Sequence, residues 1–371
     1  MNITLNRCEL LAAARAAEKI APAKSMIAAL ECVCLNAGEG AVTITATNLE
    51  ITLEQRIPAD VQEPGRMLVP AKWLAGMLNV LPGDCVTLRH DNAGRIHIPS
   101  GKAEFTLAAP AAEDFPQMEI PLPEDTVLVS GIPALVKRTA FAVSNDNAKP
   151  VLNCVNLMFR NDSLYAFGSD GCRLAVAKGS CKGAANTSLL VPAPSLQKLA
   201  QLVNSRASLR VGVAGKNVVF SKENFLFSAR LMDGRYPDAD QVLTRMQRRF
   251  TVLTDSEQLR KALASVAAVT GTKDRLSLAF QEDRIQIRFE SEHGASAMEL
   301  PVTALSGTPE GVFWYNPTSL KECLRALDGT LMIDVAQQGI LQFKTDDLTC
   351  VQTAIREPKS LAESARNKLA A

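Results

Sequence analysis

The sequence predicts an α+β fold built from three tandem copies of one unit of about 120 residues, each unit two helices on antiparallel sheets. Three observations carry that expectation. A helix-period apolar stripe recurs near the start of each third of the 371-residue chain. A second helical pattern recurs late in each third. Between them run short alternating strands that keep the same spacing. The period is too long for a solenoid of roughly 20–50-residue repeats, so the copies are domains.

The first helix of each copy is expected at Asn6 to Ile20, with Leu10, Leu11, Ala14 and Ala17 on one stripe, at Ile132 to Val143, with Ile132, Leu135, Val136 and Ala140, and at Ser256 to Val269, with Leu259, Leu263 and Val266. Thr254 and Glu257 have the spacing of a capping box for the third. The second helices are expected at Val69–Leu78, Val191–Ala200 and Tyr315–Leu324; Val191 follows Val69 by 122 residues. Each carries Pro, Ser or Thr at its start, where a fixed φ or a side-chain cap is useful. Among the strands, Ala46–Ile51 answers Gly168–Ala175, Ser100–Leu107 answers Ser221–Phe227, and Asp114-Phe-Pro116 answers Arg235-Tyr-Pro-Asp238. Asp91–Gly94 and Gln281–Asp283 read as hairpin turns. Domains are expected over residues 1–122, 126–246 and 249–357, with an extension over 358–371; linkers fall near Glu119–Asp125 and Thr244–Arg249.

Apolar residues at 47% and charged residues at 21% let each unit bury its own core. No basic, apolar, small-residue leader and no bilayer-length apolar run is present, which predicts a cytoplasmic protein without a membrane partner. The nine cysteines show no CxxC and are expected as free thiols, Cys32 and Cys34 sharing one strand face. The three histidines, His90, His97 and His293, have no acidic or cysteine partner at ligand spacing, so no metal or cofactor is expected. Gly212-Val-Ala-Gly-Lys-Asn217 lacks the phosphate-loop spacing and reads as a hairpin turn. Ser169-Asp170 lies in a Ser-Asp-Gly turn with no base beside it, so no catalytic residue is expected.

The net charge is +1, so a basic signal can only lie in the charge distribution. The six predicted helices, with the last counted through to Arg325, hold eleven basic residues (Arg7, Arg15, Lys19, Lys72, Lys137, Arg138, Lys198, Arg260, Lys261, Lys321, Arg325) against Glu9, Glu18, Glu257 and Glu322, a balance of +7 that leaves −6 elsewhere. Helix propensity favours Glu as much as Lys or Arg, so this excess suits a surface that meets the phosphates of duplex DNA without reading its sequence. Aromatic residues, at 5%, are too few for single-strand stacking platforms.

The Asn-Leu-Glu-Ile strand at 48–51, Ser169-Asp-Gly-Cys-Arg-Leu-Ala175 and Leu231-Met-Asp-Gly-Arg-Tyr-Pro-Asp238, set in a triplicated chain, resemble the beta subunit of bacterial DNA polymerase III, the beta sliding clamp family, from Met1 to about Arg356. The resemblance implies three DNA-clamp domains and a head-to-tail homodimer. Such a dimer forms a ring that encircles double-stranded DNA as a non-catalytic processivity factor. It implies DNA polymerase and clamp-loader subunits as partners, docking short peptides into a cleft. The matching cleft positions are Leu152, Ser169, Gly171, Cys172, Arg173, Leu174, Pro237, Val242, Val351, Thr353, Ala354, Ile355 and Arg356. Matching DNA-facing positions are Lys24, Lys72 and Lys149, to which the helix charge count adds Arg7, Lys137, Arg138 and Lys198. At the dimer contact, Phe105 and Leu107 would face Ala268 and Val269.

The chain departs from the family pattern at Cys172, where His is frequent, at Gln241, where Arg is common, at Ala193-Pro194 and at Thr353-Ala-Ile-Arg-Glu357. These changes bear on partner specificity. They leave open a diverged plasmid- or phage-type clamp-like protein acting as scaffold or inhibitor. The extension from Pro358 to Ala371 reads as a disordered end, as a short helix near the cleft, or as a degradation-tag-like Leu-Ala-Ala terminus.

Overall fold

The structure, a computed structural model, describes residues 1–91, 93–100, 103–117, 119–183, 186–267, 275–291 and 294–357. His293, Ala268, Val269 and the extension 358–371 therefore lie outside the described residues.

The first copy runs β1 (Asn2–Asn6), α1 (Arg7–Glu18), β2 (Cys32–Gly38), β3 (Ala41–Thr47), β4 (Ile51–Glu63), β5 (Gly65–Pro70), α2 (Ala71–Val80), β6 (Cys85–His90), β7 (Arg95–Ser100) and β8 (Ala103–Ala108). The second repeats the order: β9 (Val127–Ser130), α3 (Ile132–Thr139), β10 (Cys154–Arg160), β11 (Ser163–Ser169), β12 (Arg173–Lys182), β13 (Thr187–Pro192), α4 (Ala193–Leu202), β14 (Ser208–Ala214), β15 (Asn217–Lys222) and β16 (Phe225–Arg230), followed by an additional helix, α5 (Ala239–Thr244). The third has β17 (Arg248–Asp255), α6 (Ser256–Ala267), β18 (Arg275–Phe280), β19 (Arg284–Ser291), β20 (Gly294–Pro301), β21 (Thr303–Ser306), β22 (Gly311–Tyr315), α7 (Pro317–Arg325), β23 (Thr330–Ala336), β24 (Leu341–Lys344) and β25 (Leu348–Gln352). Every copy has the same antiparallel plan. Its fourth strand is broken in two in the third copy.

All six helices foreseen from the stripes are present. On α1 the buried line is Leu10, Ala13, Ala14 and Ala17; Leu11 lies at its margin. The small alanines let α1 lie against α2, which buries Leu74, Ala75 and Leu78. Each such fully buried Leu stabilises the fold by roughly 1.5–3 kcal/mol. Asn6 caps α1, its side chain accepting from the N–H groups of Cys8 and Glu9. Asn316 caps α7, with Pro317 in the first turn. The capping box expected at Thr254 is corrected. Asp255 Oδ1 accepts from the N–H groups of Glu257 and Gln258, each at 2.9 Å, while the Thr254 hydroxyl is buried in β17 without a partner. The Asp255 carboxylate, one residue nearer the helix, reaches those N–H groups directly.

The chain gathers into two compact units. The first contains Met1–Pro133 and Pro194–Leu231 and joins the first two copies through strand pairing: β4 runs antiparallel to β16, with Phe227 opposite Leu53 and Ala229 opposite Ile51. The second contains Ala134–Ser180, Asn186–Ala193 and the chain from Met232, and joins the last two copies in the same way: β12 runs antiparallel to β25, with Leu174 opposite Val351. In each case the fourth strand of one copy takes the eighth strand of the next. The second copy thus contributes strands to both units.

The nine cysteines are free thiols; Cys32 and Cys34 share a buried cluster with Ala29, Leu68 and Phe115. His97, expected without an acidic partner at ligand spacing, meets two carboxylates that lie outside such spacing. Its Nε2 lies 2.9 Å from Asp91 Oδ2 and its Nδ1 lies 3.3 Å from Glu104 Oε1. The hairpin of β7 brings together carboxylates that are distant in the spacing of the sequence. The His97 hydrogen bond, with further bonds from Arg95 and Ala93, holds Asp91 well below the usual carboxylate range. Among the described residues no His, Cys, Asp and Glu group has the composition of a metal site, and no helix is long and apolar enough to cross a membrane.

Candidate functional site

The two sequence motifs meet in the second unit. In Ser169-Asp-Gly-Cys-Arg-Leu, Asp170 Oδ1 accepts from the N–H groups of Cys172 and Arg173 at 2.8 and 3.0 Å, closing a tight turn. Gly171 takes φ +92°, open to glycine without strain. The Ser169 hydroxyl donates to the Arg173 carbonyl at 2.7 Å and accepts from Gly171 N–H, which gives it a turn-closing role. Arg173 is nearly buried. Its guanidinium meets Asp170 at 3.0 Å and Glu322 of α7 at 2.5 Å and lies over the Phe141 ring. Thr353 donates from both its N–H and its hydroxyl to the Cys172 carbonyl.

The second motif, Asp233-Gly-Arg-Tyr-Pro-Asp238, packs on the same floor. Gly234 has φ +147° and passes so close to Val151 that a β-carbon would stand 2.5 Å from its methyl group. Tyr236 covers a cluster of Phe167, Leu174, Ala239 and Val351, and burial pushes its phenol well above the usual range. Asp238 caps α5, its side chain accepting from Gln241 N–H. Leu243 and Met246 add their side chains to the cluster.

Of the predicted cleft residues, Leu152, Leu174 and Val351 are buried, while Val242 and Ile355 expose 45% and 37% of their surface, and Gly171, Cys172, Pro237 and Arg356 are also exposed. Thr353 and Ala354 are half-buried. Ile355 is bridged to Trp314. The result is an apolar floor with exposed aliphatic groups around it, the composition that anchors a short peptide. Sequence reasoning missed α5, although Asp238 and Gln241 stand at capping-box spacing. It also missed Tyr236 and Glu322, whose roles depend on contacts distant in sequence.

Of the residues predicted to face DNA, Lys24, Lys72, Lys137 and Lys149 are exposed. Trp73, beside Lys72 on α2, exposes 63% of its surface. The other three are engaged within the chain. Arg7 donates to the carbonyls of Gly83 and Leu78 at the end of α2. Lys198 donates to the Lys19 carbonyl. Arg138 lies 3.7 Å from Asp347. Phe105 and Leu107 lie on β8, which among the described residues pairs only with β7.

A thrice-repeated unit of two helices on antiparallel sheets, joined strand to strand, defines the class of the DNA sliding clamps. Residues 1–119 match the family model described as DNA polymerase III beta subunit, N-terminal domain, and residues 127–238 match that of the central domain. The chain belongs to the DNA polymerase III beta subunit family. It is 26% identical over 306 residues to the beta sliding clamp of Synechococcus elongatus, covering 80% of this chain and 81% of the relative. It is 24% identical over 350 residues to that of Bacillus subtilis, covering 89% and 91%. The fold superposes on the crystal structure of the Bacillus subtilis DNA polymerase sliding clamp with a TM-score of 0.90 at 20% identity, over 96% of this chain and all of the other. The DNA polymerase III subunit beta of Pseudomonas aeruginosa gives 0.89 at 23% identity over the same shares.

Proposed function

We propose that two copies of this chain close head to tail into a ring around duplex DNA and hold a DNA polymerase on its template. The observation that carries this reading is the pattern of strand edges. Within the chain the fourth strand of one copy pairs with the eighth strand of the next, as β4 with β16 and β12 with β25. The same rule leaves an eighth strand, β8, and a fourth strand, β20, one at each end of the series. Among the described residues β8 pairs only with β7, and β20 only with β19. A β8–β20 pairing between two chains would repeat the internal junction, satisfy both edges and close after two steps. Phe105, 36% exposed, and Leu107 would supply its apolar contact.

In such a ring Lys24, Lys72, Lys137 and Lys149 would meet phosphates by charge alone, which suits sliding because no base is read. The Tyr236 and Leu174 cleft would take short peptides of the polymerase and of the clamp loader. The role is topological, so no residue is assigned to bond chemistry. The domain limits given above, 1–122, 126–246 and 249–357, are carried forward as the three clamp domains of this reading.

The test is loading onto nicked circular DNA with a clamp loader and ATP. Retention on circles and loss after linearisation is the expected outcome. Equal retention on both forms, or on neither, removes the ring. Phe105→Asp should shift the sedimenting species from dimer to monomer, and a wild-type monomer at micromolar concentration would end the reading.

A further inference from the structure

A second recess opens beside α5 in the same unit, a pocket of about 400 Å³. Its floor contains Asp334 on β23, 1% exposed, and Gln342 on β24, 7% exposed. A buried carboxylate is costly unless it is paired and hydrogen-bonded. Asp334 is both: it accepts from the Thr251 hydroxyl at 2.7 Å and from Lys344 Nζ at 2.9 Å, and Arg248 Nε stands 3.3 Å away. Two cations therefore share one carboxylate, and the pocket has a surplus of one positive charge. Neither cation is exhausted. Lys344 has three donors and Arg248 five, and Asp334 is the acid each of them meets among the described residues. The buried carboxylate also holds both cations in place, so a ligand arriving there orders less of the side chains.

The pocket adjoins the cleft. Leu243 and Met246 pack on the Leu174 and Val351 cluster and also line the recess. Because the two share these side chains, a peptide lying on the cleft can extend from one to the other. The pocket is too polar for an aliphatic anchor and has the wrong charge for a basic one.

We propose that this pocket takes the carboxylate of an Asp or Glu side chain flanking the apolar anchor of a docking peptide, with Arg248 and Lys344 as its specificity-determining contacts. The inference rests on the cleft reading and adds a charged subsite to it.

The experiment uses the full chain and fluorescein-labelled peptides containing an aliphatic–aromatic anchor. One Glu is moved through the flanking positions, and each peptide is paired with its Gln counterpart. At one position Glu should tighten binding about three- to tenfold, as expected of a partly screened charge-assisted contact. The gain should fall with added salt. It should disappear in Arg248→Gln and in Lys344→Gln, while the Gln peptide binds all three proteins alike. Arg248 is half exposed, so its replacement leaves the core intact even where Lys344→Gln unsettles Asp334. Gln peptides that bind with no Glu advantage at any position overturn the subsite and leave the cleft standing. A Glu advantage that survives both substitutions overturns it too. Failure of every peptide to bind removes the cleft reading and this subsite with it.

Discussion

Lys19 and Lys198 cap each other's helices. Lys198 Nζ donates to the carbonyl of Lys19, just past α1, at 2.6 Å, and Lys19 Nζ donates to the carbonyl of Gln201, near the end of α4, at 2.9 Å. Each ammonium thus sits on the negative end of the other helix, satisfying carbonyls that have no partner within the helix. The exchange joins the first copy to the second inside one compact unit.

Lys19→Met and Lys198→Met should each lower stability by about 0.3–1 kcal/mol, the usual worth of a cation at a helix C-terminus. The double variant should show coupling in a thermodynamic cycle from urea unfolding. Strict additivity would mean that the two bonds do not act as a pair.

Trp73 stands on α2 beside Lys72, exposed to solvent. In a Trp314→Phe background it is the sole indole, since the chain has two Trp. Titration with duplex DNA should change its emission, and Lys72→Glu should weaken the response and reduce its salt dependence. DNA binding seen by anisotropy with unchanged Trp73 emission would remove α2 from the DNA-facing surface.

The Arg173–Glu322 pair is tested by Glu322→Gln. Arg173 is nearly buried and retains Asp170, so the loss should be about 1.5–3 kcal/mol, the worth of a hydrogen bond to a charged group. Thermal unfolding reads it directly. A neutral result would mean that Asp170 alone satisfies the guanidinium.

Thiol chemistry separates the cysteines by burial. Cys8, Cys85 and Cys172 are exposed and should alkylate in the native protein at pH 8. Cys32 and Cys154 should react only on unfolding, because burial pushes both thiols up to about 11. The sign for stability follows. Below pH 9 these thiols are protonated in both states. Between pH 9 and 11 the unfolded chain releases their protons while the folded chain keeps them, so stability falls as pH rises. Mass spectrometry of labelled peptides and pH-dependent melting check the two halves; native labelling of Cys154 at the rate of Cys172 would contradict the first.

Much of this was legible in the chain alone. Helices bury one face every 3.6 residues and strands every second residue, so the apolar stripes of α1, α3 and α6 and the hairpins at Asp91 and Gln281 announce themselves locally. The recurrence of Val69-Pro at Val191-Pro, and of the same helical pattern at Tyr315-Asn-Pro, exposes the triplication for the same reason. The turn chemistry of Asp170-Gly171 and the free state of the thiols are also local facts. The tertiary structure decided which strand edges are used and which charges are spent. Whether Arg7 and Lys198 face solvent or a helix end depends on carbonyls 71 and 179 residues away. Arg173 finds Glu322 across 149 residues, and Asp334 collects Arg248, Lys344 and Thr251 from two neighbouring strands. Composition sets how much charge a chain has, but pairing needs approach within a few ångströms, and only packing brings distant residues that close.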